Sequence, residues 1–307
     1  EKRLAEFAGK EDAIIFSTGF QVNLGVISCL LGREDYIIWD SLNHASIIEG
    51  IRLSPAKSLR YKHNDMAALE RRLQQCDPER IKLIVVDGVF SMEGDLCNLP
   101  EICRLAEQYK ASVMVDEAHG FGVMGDHGRG VCNHFGLTDK VDLIMGTFSK
   151  SFAAIGGFIA GSKTTINYIR HHARSYIFSA SCTPAATAAV GKSLEIMLRE
   201  PERVEALQEK TRYCLEKFRK LGFEIGNTST PIIPLFVRDN EKTFRVTAEL
   251  FHEGVFVNPV VAPAVAPEDT LIRFSLMATH TYEQLDTAIE KITAVFRRLD
   301  IPLHPQA

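Results

Sequence analysis

Short apolar segments rich in β-branched residues recur along the first two-thirds of the chain, separated by stretches with helical periodicity. Each segment is nearly continuously apolar, which is typical of strands buried on both faces of a sheet. The predicted strands are 13–17, 36–40, 58–61, 83–87, 113–116, 142–146 and 157–160. Helices are predicted between several of them, for example at 66–75 and 100–110. This alternation predicts an α/β fold with a mostly parallel central sheet flanked by helices.

The pattern changes after residue 183. One long helix is predicted over 184–221, and the segments after it are typical of a smaller α+β domain. Its predicted elements are strands at 223–225, 232–237, 255–257 and 272–275 and helices at 243–253 and 282–299. We therefore predict a large domain at 1–185, then a long connecting helix and a small C-terminal domain at 186–307. Because the sequence starts at Glu1 within a helical pattern, we expect an N-terminal segment of the large domain to be missing.

Composition narrows the class of protein. The 307 residues are 46% hydrophobic and 24% charged, the make-up of an ordinary globular protein. A formal net charge of -4 provides no basic patch for nucleic acid, and no apolar run approaches the roughly 18 residues of a membrane span. The seven cysteines lack CxxC spacing, so reduced thiols are expected rather than disulfides or a metal site. We expect a soluble cytoplasmic protein.

An acid and a lysine follow neighbouring predicted strands. Asp116 ends one strand, and Lys150 closely follows the next, beside the hydroxyls of Thr147 and Ser149. A pyridoxal phosphate (PLP) enzyme needs a lysine for the Schiff base, an acid at the pyridinium nitrogen and hydroxyls at the phosphate. The alternatives are an Asp116 that merely caps a helix and a solvent-facing lysine. The polar surroundings favour a lysine in a tight pocket, since burying an unpaired lysine is costly.

Other residues fit the same chemistry with weaker signals. His119 follows Asp116 by three residues, within reach of the phenolic oxygen of a bound ring. Thr18 and Gly19 open a helix directly after a strand, where backbone amides bind phosphate. Arg273 interrupts an apolar strand, which indicates either capture of a substrate carboxylate or an internal salt bridge.

Two further motif matches fail on their surroundings. Residues 120–125 match the GxGxxG pattern of dinucleotide-binding proteins, but they do not lie at a strand-to-helix turn. Residues 116–119 spell the DEAH box of helicases, but the chain has no GxxxxGK(S/T) phosphate loop. Neither class of enzyme is supported.

From residue 1 to about 299 the chain resembles the α-oxoamine synthase family of fold-type I PLP enzymes. The segments that carry this resemblance are 16–21, 87–95, 146–151, 178–181 and 273–281. Sister enzymes usually have Leu-Gly where Phe148 and Ser149 stand here. This difference favours the branch of the family that joins L-serine to a long-chain acyl-CoA.

The resemblance implies a role for each matching residue. Lys150 would carry the Schiff base, Asp116 would pair with the pyridinium nitrogen and His119 would contact the phenolic oxygen. His44 would stack on the ring and help to fix the amino acid, while Arg273 would hold its carboxylate. Further implied contacts to cofactor or substrate are Thr18, Gly19, Phe20, Thr147, Ser149, Ser179, Ser181 and Ser91.

The resemblance also implies an activity and an assembly. The reaction would be a decarboxylative condensation of L-serine with palmitoyl-CoA, and residues 179–181 would reach the cofactor of a second subunit in a homodimer. The alternatives are another α-oxoamine synthase, such as glycine C-acetyltransferase, or a PLP-fold subunit without catalysis. The presence of Lys150 argues against the last of these. Peripheral association with the inner membrane surface is compatible with an acyl-CoA substrate.

Overall fold

The computed structural model describes residues 1–304, which divide into two compact units. The first comprises Glu1–Phe90 and Leu96–Pro201, and the second comprises Ser91–Asp95 and the described residues from Glu202 onward. The division therefore falls after residue 201, not at the predicted 185/186 boundary.

The first unit is built on a seven-stranded sheet. Its strands are β1 Asp12–Phe16, β2 Tyr36–Asp40, β3 Lys57–Tyr61, β4 Lys82–Asp87, β5 Ser112–Asp116, β6 Leu143–Thr147 and β7 Gly157–Gly161. Its α-helices are α1 Lys2–Ala8, α2 Gly19–Leu30, α3 Ala45–Leu53, α4 Met66–Gln74, α5 Leu99–Tyr109, α6 Gly130–His134, α7 Lys163–His172, α8 Arg174–Ile177 and α9 Pro184–Arg199. All seven predicted strands are present, with bounds that differ by at most one residue at either end.

The strand order is β1-β7-β6-β5-β4-β2-β3, and β7 alone runs antiparallel to the other six strands. All six residues of β4 and all five of β6 are buried, which explains their continuous apolar character. Within the parallel part, Asp87 lies opposite Asp116, and Asp116 lies opposite Met145. The carboxyl ends of β4, β5 and β6 therefore meet at one edge of the sheet, where ligands bind in such folds. The predicted mostly parallel α/β sheet is confirmed.

The predicted single helix over 184–221 is wrong, because α9 ends at Arg199 and the next helix begins at Glu202. Pro201 explains the break. A proline lacks the N–H that a helix needs, and it disfavours helical geometry in the residue before it. Glu200 accordingly leaves the helical region, with φ -123° and ψ 60°.

The second unit combines helices with a three-stranded antiparallel sheet in the order β8-β10-β9. Its elements are α10 Glu202–Leu221, β8 Ile232–Phe236, α11 Asn240–His252, β9 Asn258–Val260, β10 Leu271–Ser275 and α12 Tyr282–Arg298. The predicted strands at 232–237 and 272–275 are confirmed.

Two predicted strands of the second unit are wrong. Residues 223–225 form no strand, although Phe223 is buried with its ring centroid 4.9 Å from that of Phe296 on α12. Residues 255–257 precede β9, whose pairing with β10 starts where Asn258 lies opposite Arg273. Phe223 and Val257 are buried without joining the ladder, whereas Phe256 is 76% exposed.

Within residues 1–304, no helix is long and apolar enough to cross a membrane. The seven cysteines are free thiols, five of them buried.

Candidate active site

Asp116 forms the buried floor of the predicted site. It is the last residue of β5, and its side chain is held by two amide donors. Asn23 Nδ2 on α2 donates to Oδ2 at 2.8 Å, and the backbone N–H of Ala118 donates to Oδ1 at 2.9 Å. The residues after Asp116 form a turn, so it caps no helix. A buried carboxylate with a fixed orientation is what a pyridinium nitrogen requires.

His44 is fixed by its ring and by its backbone. It is the N-cap of α3, where Nδ1 accepts the backbone N–H of Ser46 at 3.2 Å and lies 2.7 Å from the Ser46 hydroxyl. The backbone N–H of His44 donates to Asp87 Oδ2 at 2.7 Å. Because Asp87 ends β4, this bond ties the loop that carries the imidazole to the carboxyl edge of the sheet.

Electrostatics show that these groups share one environment. Desolvation lowers the pKa of His44; Asp116 opposes this shift and Lys150 adds to it. Burial raises the pKa of Asp87 well above its usual range, and Asp116 raises it further, whereas the His44 N–H and Lys150 lower it. The structure therefore brings Asp116, His44 and Lys150 near one another and adds Asp87 to the group.

Lys150 departs from the prediction in one respect, because its side chain is exposed rather than buried. Strand β6 ends at Thr147, and the chain then turns, with Ala153 donating its N–H to the Lys150 carbonyl at 2.9 Å. Phe148 and Phe152 are buried on either side, with ring centroids 5.5 Å apart. These rings anchor the turn, so the lysine between them need not enter the core.

The start of α2 forms a cradle for an anion. Thr18 caps the helix by accepting the N–H of Gln21 at 3.2 Å, and Gly19 opens it. A Cβ on Gly19 would lie 2.5 Å from Thr147 Oγ1, which is itself 3.1 Å from the hydroxyl of Ser149. Only glycine therefore lets these hydroxyls approach the helix N-terminus so closely. Unpaired N–H groups, the helix dipole and hydroxyls together suit a phosphate.

The remaining predicted residues of the first unit lie around these groups. Ser179 accepts the side-chain N–H of Gln21 at 3.1 Å, which places it beside the first turn of α2. Phe20 is 45% exposed in that turn, and Ser181 is exposed in the segment before α9. His119 is half-buried in the turn that follows β5.

Arg273 belongs to the second unit, on β10. Its Nη1 donates to the carbonyl of Ser91 at 3.1 Å, and its Nε donates to the Ser275 hydroxyl at 3.2 Å. Burial lowers the pKa of Arg273, and among residues 1–304 no carboxylate pairs with it. The structure therefore shows no internal salt bridge at Arg273 among the described residues. Arg273 lines a cavity of about 660 Å³ together with Phe256 and Met277.

Sequence reasoning missed the residues that orient the site. Asn23 and Ser46 are buried polar side chains on α2 and α3, and neither belongs to a recognisable motif. The available signal was an asparagine within a mostly apolar helix, where burial demands hydrogen-bond partners.

Taken together, the first unit fits PLP. Its buried carboxylate has neutral amide donors, and its helix N-terminus has a cradle that a Cβ would fill. Asp116 and Lys150 also both act on the pKa of the His44 imidazole. Asp116, His44 and Lys150 would hold the ring, and Gly19, Thr147 and Ser149 would hold the phosphate.

Comparisons with known proteins agree with this geometry. The model of the family Aminotransferase class I and II matches residues 1–292. The serine palmitoyltransferase of Bacteroides thetaiotaomicron is 64% identical over 301 residues, which cover 98% of this chain and 76% of that protein. The 8-amino-7-oxononanoate synthase of Bacillus pumilus is 46% identical over 301 residues, 98% of this chain and 77% of that protein. A solved structure of serine palmitoyltransferase from S. paucimobilis, with a bound PLP–myriocin aldimine, matches with a TM-score of 0.95 at 35% identity over 98% of this chain and 76% of that one.

Proposed function

The chain belongs to the aminotransferase class I and II family, and on that premise we propose that it condenses L-serine with palmitoyl-CoA. The products would be 3-ketodihydrosphingosine, CoA and CO2. The observation that carries this proposal is 64% identity to a serine palmitoyltransferase across nearly the whole chain. The shared environment of Asp116, His44 and Lys150 supports it independently.

Enzymes of this family depend on PLP, in agreement with the cofactor predicted from Asp116 and Lys150. When bound, PLP supplies an electron sink for charge that develops at the Cα of the amino acid. The part of the protein is to bind the ring, orient the substrate and move protons. Asp116 would serve the first task, because the amide N–H groups of Asn23 and Ala118 fix the orientation of its carboxylate.

We assign proton transfer to Lys150. It lies close enough to His44 and Asp87 to affect the pKa of both, so its amine acts on the same edge of the sheet as Asp116. As a free amine, it would take the proton from the Cα of serine and return one after loss of CO2. Its exposed position in an anchored turn leaves the side chain room for both tasks.

His44 and Arg273 would orient serine. The lowered pKa of His44 keeps its ring neutral near pH 7, so Nε2 can donate a hydrogen bond without adding a positive charge. Arg273 would bind the serine carboxylate, since no described carboxylate neutralises it. The Ser91 carbonyl holds one end of the guanidinium in place.

We also propose a homodimer in which Ser179 and Ser181 serve the cofactor of the partner. Large apolar side chains near this segment support an interface, because Phe178 is 79% and Ile177 46% exposed. A cytoplasmic location, with peripheral contact at the membrane where acyl-CoA concentrates, fits the proposed substrates.

The test is a product assay with matched substrate pairs. Protein loaded with PLP is incubated with L-serine and palmitoyl-CoA, or with glycine and acetyl-CoA, and CoA thiol and product mass are measured. The proposal predicts thiol release and a ketone product of the expected mass only with the first pair. Turnover of the second pair would move the protein to glycine C-acetyltransferase. Failure of both, with Lys150→Ala as the blank, would refute catalysis of either kind.

A further inference from the structure

Two residues outside the predicted set connect the carboxylate of the site to its imidazole. Asn23 Nδ2 donates to Asp116 Oδ2 at 2.8 Å and to Ser46 Oγ at 2.9 Å. The Ser46 hydroxyl in turn lies 2.7 Å from His44 Nδ1. Asn23 and Ser46 are 0% and 2% exposed, so water does not compete for the two bonds that Asn23 donates.

The chemistry of the groups fixes the direction of each hydrogen bond. A carboxylate has no proton to give, so the amide of Asn23 must turn its NH2 towards Asp116. Because Ser46 Oγ accepts from that same NH2, the single hydroxyl proton is available for His44 Nδ1. The backbone N–H of Ser46 also donates to Nδ1, at 3.2 Å. With two donors aimed at it, Nδ1 carries no proton, and the imidazole proton is on Nε2.

One buried atom shows that this arrangement has an energetic cost. Asn23 Oδ1 has no hydrogen-bond partner among the described residues, although it is buried. An unpartnered buried oxygen is unfavourable and calls for an explanation. The explanation here is that both amide protons are directed to Asp116 and Ser46.

We propose that Asn23 and Ser46 are positioning residues that hold the Asp116 carboxylate in place and keep His44 in the tautomer protonated on Nε2. Neither touches the reacting atoms directly. The significance of the tautomer for serine rests on the function proposed above, whereas the hydrogen-bond chain itself is a property of the protein without substrate.

The test measures the two nitrogens of His44 directly. Protein with 15N-labelled histidine is studied by long-range 1H–15N correlation NMR, both without cofactor and loaded with PLP. A His44→Gln spectrum identifies the His44 signals among the ten histidines. The parent is expected to show an unprotonated Nδ1 and a protonated Nε2.

The variants are Ser46→Ala, Asn23→Ala and the double variant, with Ser28→Ala as the control. Ser28 lies on the same helix as Asn23, and its hydroxyl bonds only to carbonyls of that helix. Loss of the Ser46 hydroxyl should change the tautomer ratio about five-fold, the equivalent of one hydrogen bond. Asn23→Ala should change the His44 tautomer ratio about two-fold, although Asn23 does not contact the imidazole. The reason is that the Ser46 hydroxyl, once released by Asn23, can rotate away from Nδ1.

The double variant and a rescue separate positioning from a general loss of structure. Because the chain runs through Ser46, the double variant should match Ser46→Ala alone rather than the sum of the two effects. Ser46→Thr, which keeps the hydroxyl, should restore the parent ratio. If Asn23→Ala does not fold, Asn23→Ser is used instead. Its shorter side chain also loses the contacts with Asp116 and Ser46, but it stays polar.

A His44 spectrum that stays the same in Ser46→Ala and in the Asn23 variant, as in Ser28→Ala, would overturn the proposal. Strictly additive effects would do so too, since they would mean that no chain connects the residues. Both outcomes can be read without cofactor, so they are independent of whether serine is the substrate.

Discussion

Replacing Gly19 by alanine should weaken the phosphate cradle, although alanine is the better helix former. Gly19 opens α2, where the backbone has ordinary helical geometry and a methyl group brings no strain of its own. The added Cβ would, however, lie 2.5 Å from Oγ1 and 2.8 Å from Cβ of Thr147. Thr147 is β-branched and 8% exposed, so it has little freedom to move away.

The magnitudes of the two effects decide the sign. Alanine in place of glycine within a helix stabilises by about 0.5–1 kcal/mol, whereas overpacking of a tight contact costs about 1–3 kcal/mol. We therefore expect a net loss of about 1 kcal/mol in the free energy of unfolding. Displacing the Thr147 hydroxyl also removes a hydrogen bond to an anion, worth about 1.5–3 kcal/mol, or about 10- to 100-fold in the Kd for PLP.

The measurements are urea unfolding of the cofactor-free protein and PLP titration followed by absorbance. Gly191→Ala is the matched control, because Gly191 lies within α9 and an added Cβ would meet only the flexible end of Arg3, at 3.5 Å. The control should be neutral or slightly stabilised and bind PLP as the parent does. A Gly19→Ala variant with parental PLP affinity would refute the assignment of this helix start to the phosphate.

Further predictions concern single groups. Lys150→Ala should abolish the visible absorbance band of the PLP-loaded protein, which a spectrum checks. Arg273→Ala should raise the KM for serine about 10- to 100-fold, the loss of a charged hydrogen bond, with a smaller effect on palmitoyl-CoA. Thr230→Val should lower the free energy of unfolding by about 1–2 kcal/mol in urea titration, because the hydroxyl donates to the Gly94 carbonyl at 2.7 Å in a buried loop. The folded pKa of His44 is lowered, so the unfolded chain takes up its proton first, and stability should fall as the pH drops below about 6.5. His44→Gln should remove that part of the pH dependence, and an unchanged profile would contradict it.

The sheet of the first unit could be predicted well because its strands are buried on both faces. A continuous apolar run such as β4 indicates a strand that is buried on both faces of a sheet. Because ligands bind at the carboxyl ends of such strands, the predicted strand ends pointed to Asp116 and to the segment that precedes Lys150. The strands predicted at 223–225 and 255–257 are absent because an apolar run alone does not make a strand, which also needs a partner with free backbone groups.

The site was predictable for residues that carry chemistry and not for residues that orient them. Lys150 and Asp116 stand out because a charged side chain at the edge of a buried sheet needs a partner or a chemical role. Asn23 and Ser46 act through distances of 2.7–2.9 Å between elements that are separated in the sequence, so only the folded chain reveals them. The exposure of Lys150 depends on the turn anchored by Phe148 and Phe152, which sequence alone does not specify.

The central claim is that Asp116, His44 and Lys150 form a PLP site for serine. The most direct measurement is the absorbance spectrum of the PLP-loaded protein during titration with L-serine and then with glycine. The account predicts a visible band that is lost in Lys150→Ala, shifts with serine, and is followed by CoA release only when palmitoyl-CoA is added. A protein that shows no such band with PLP would contradict the account.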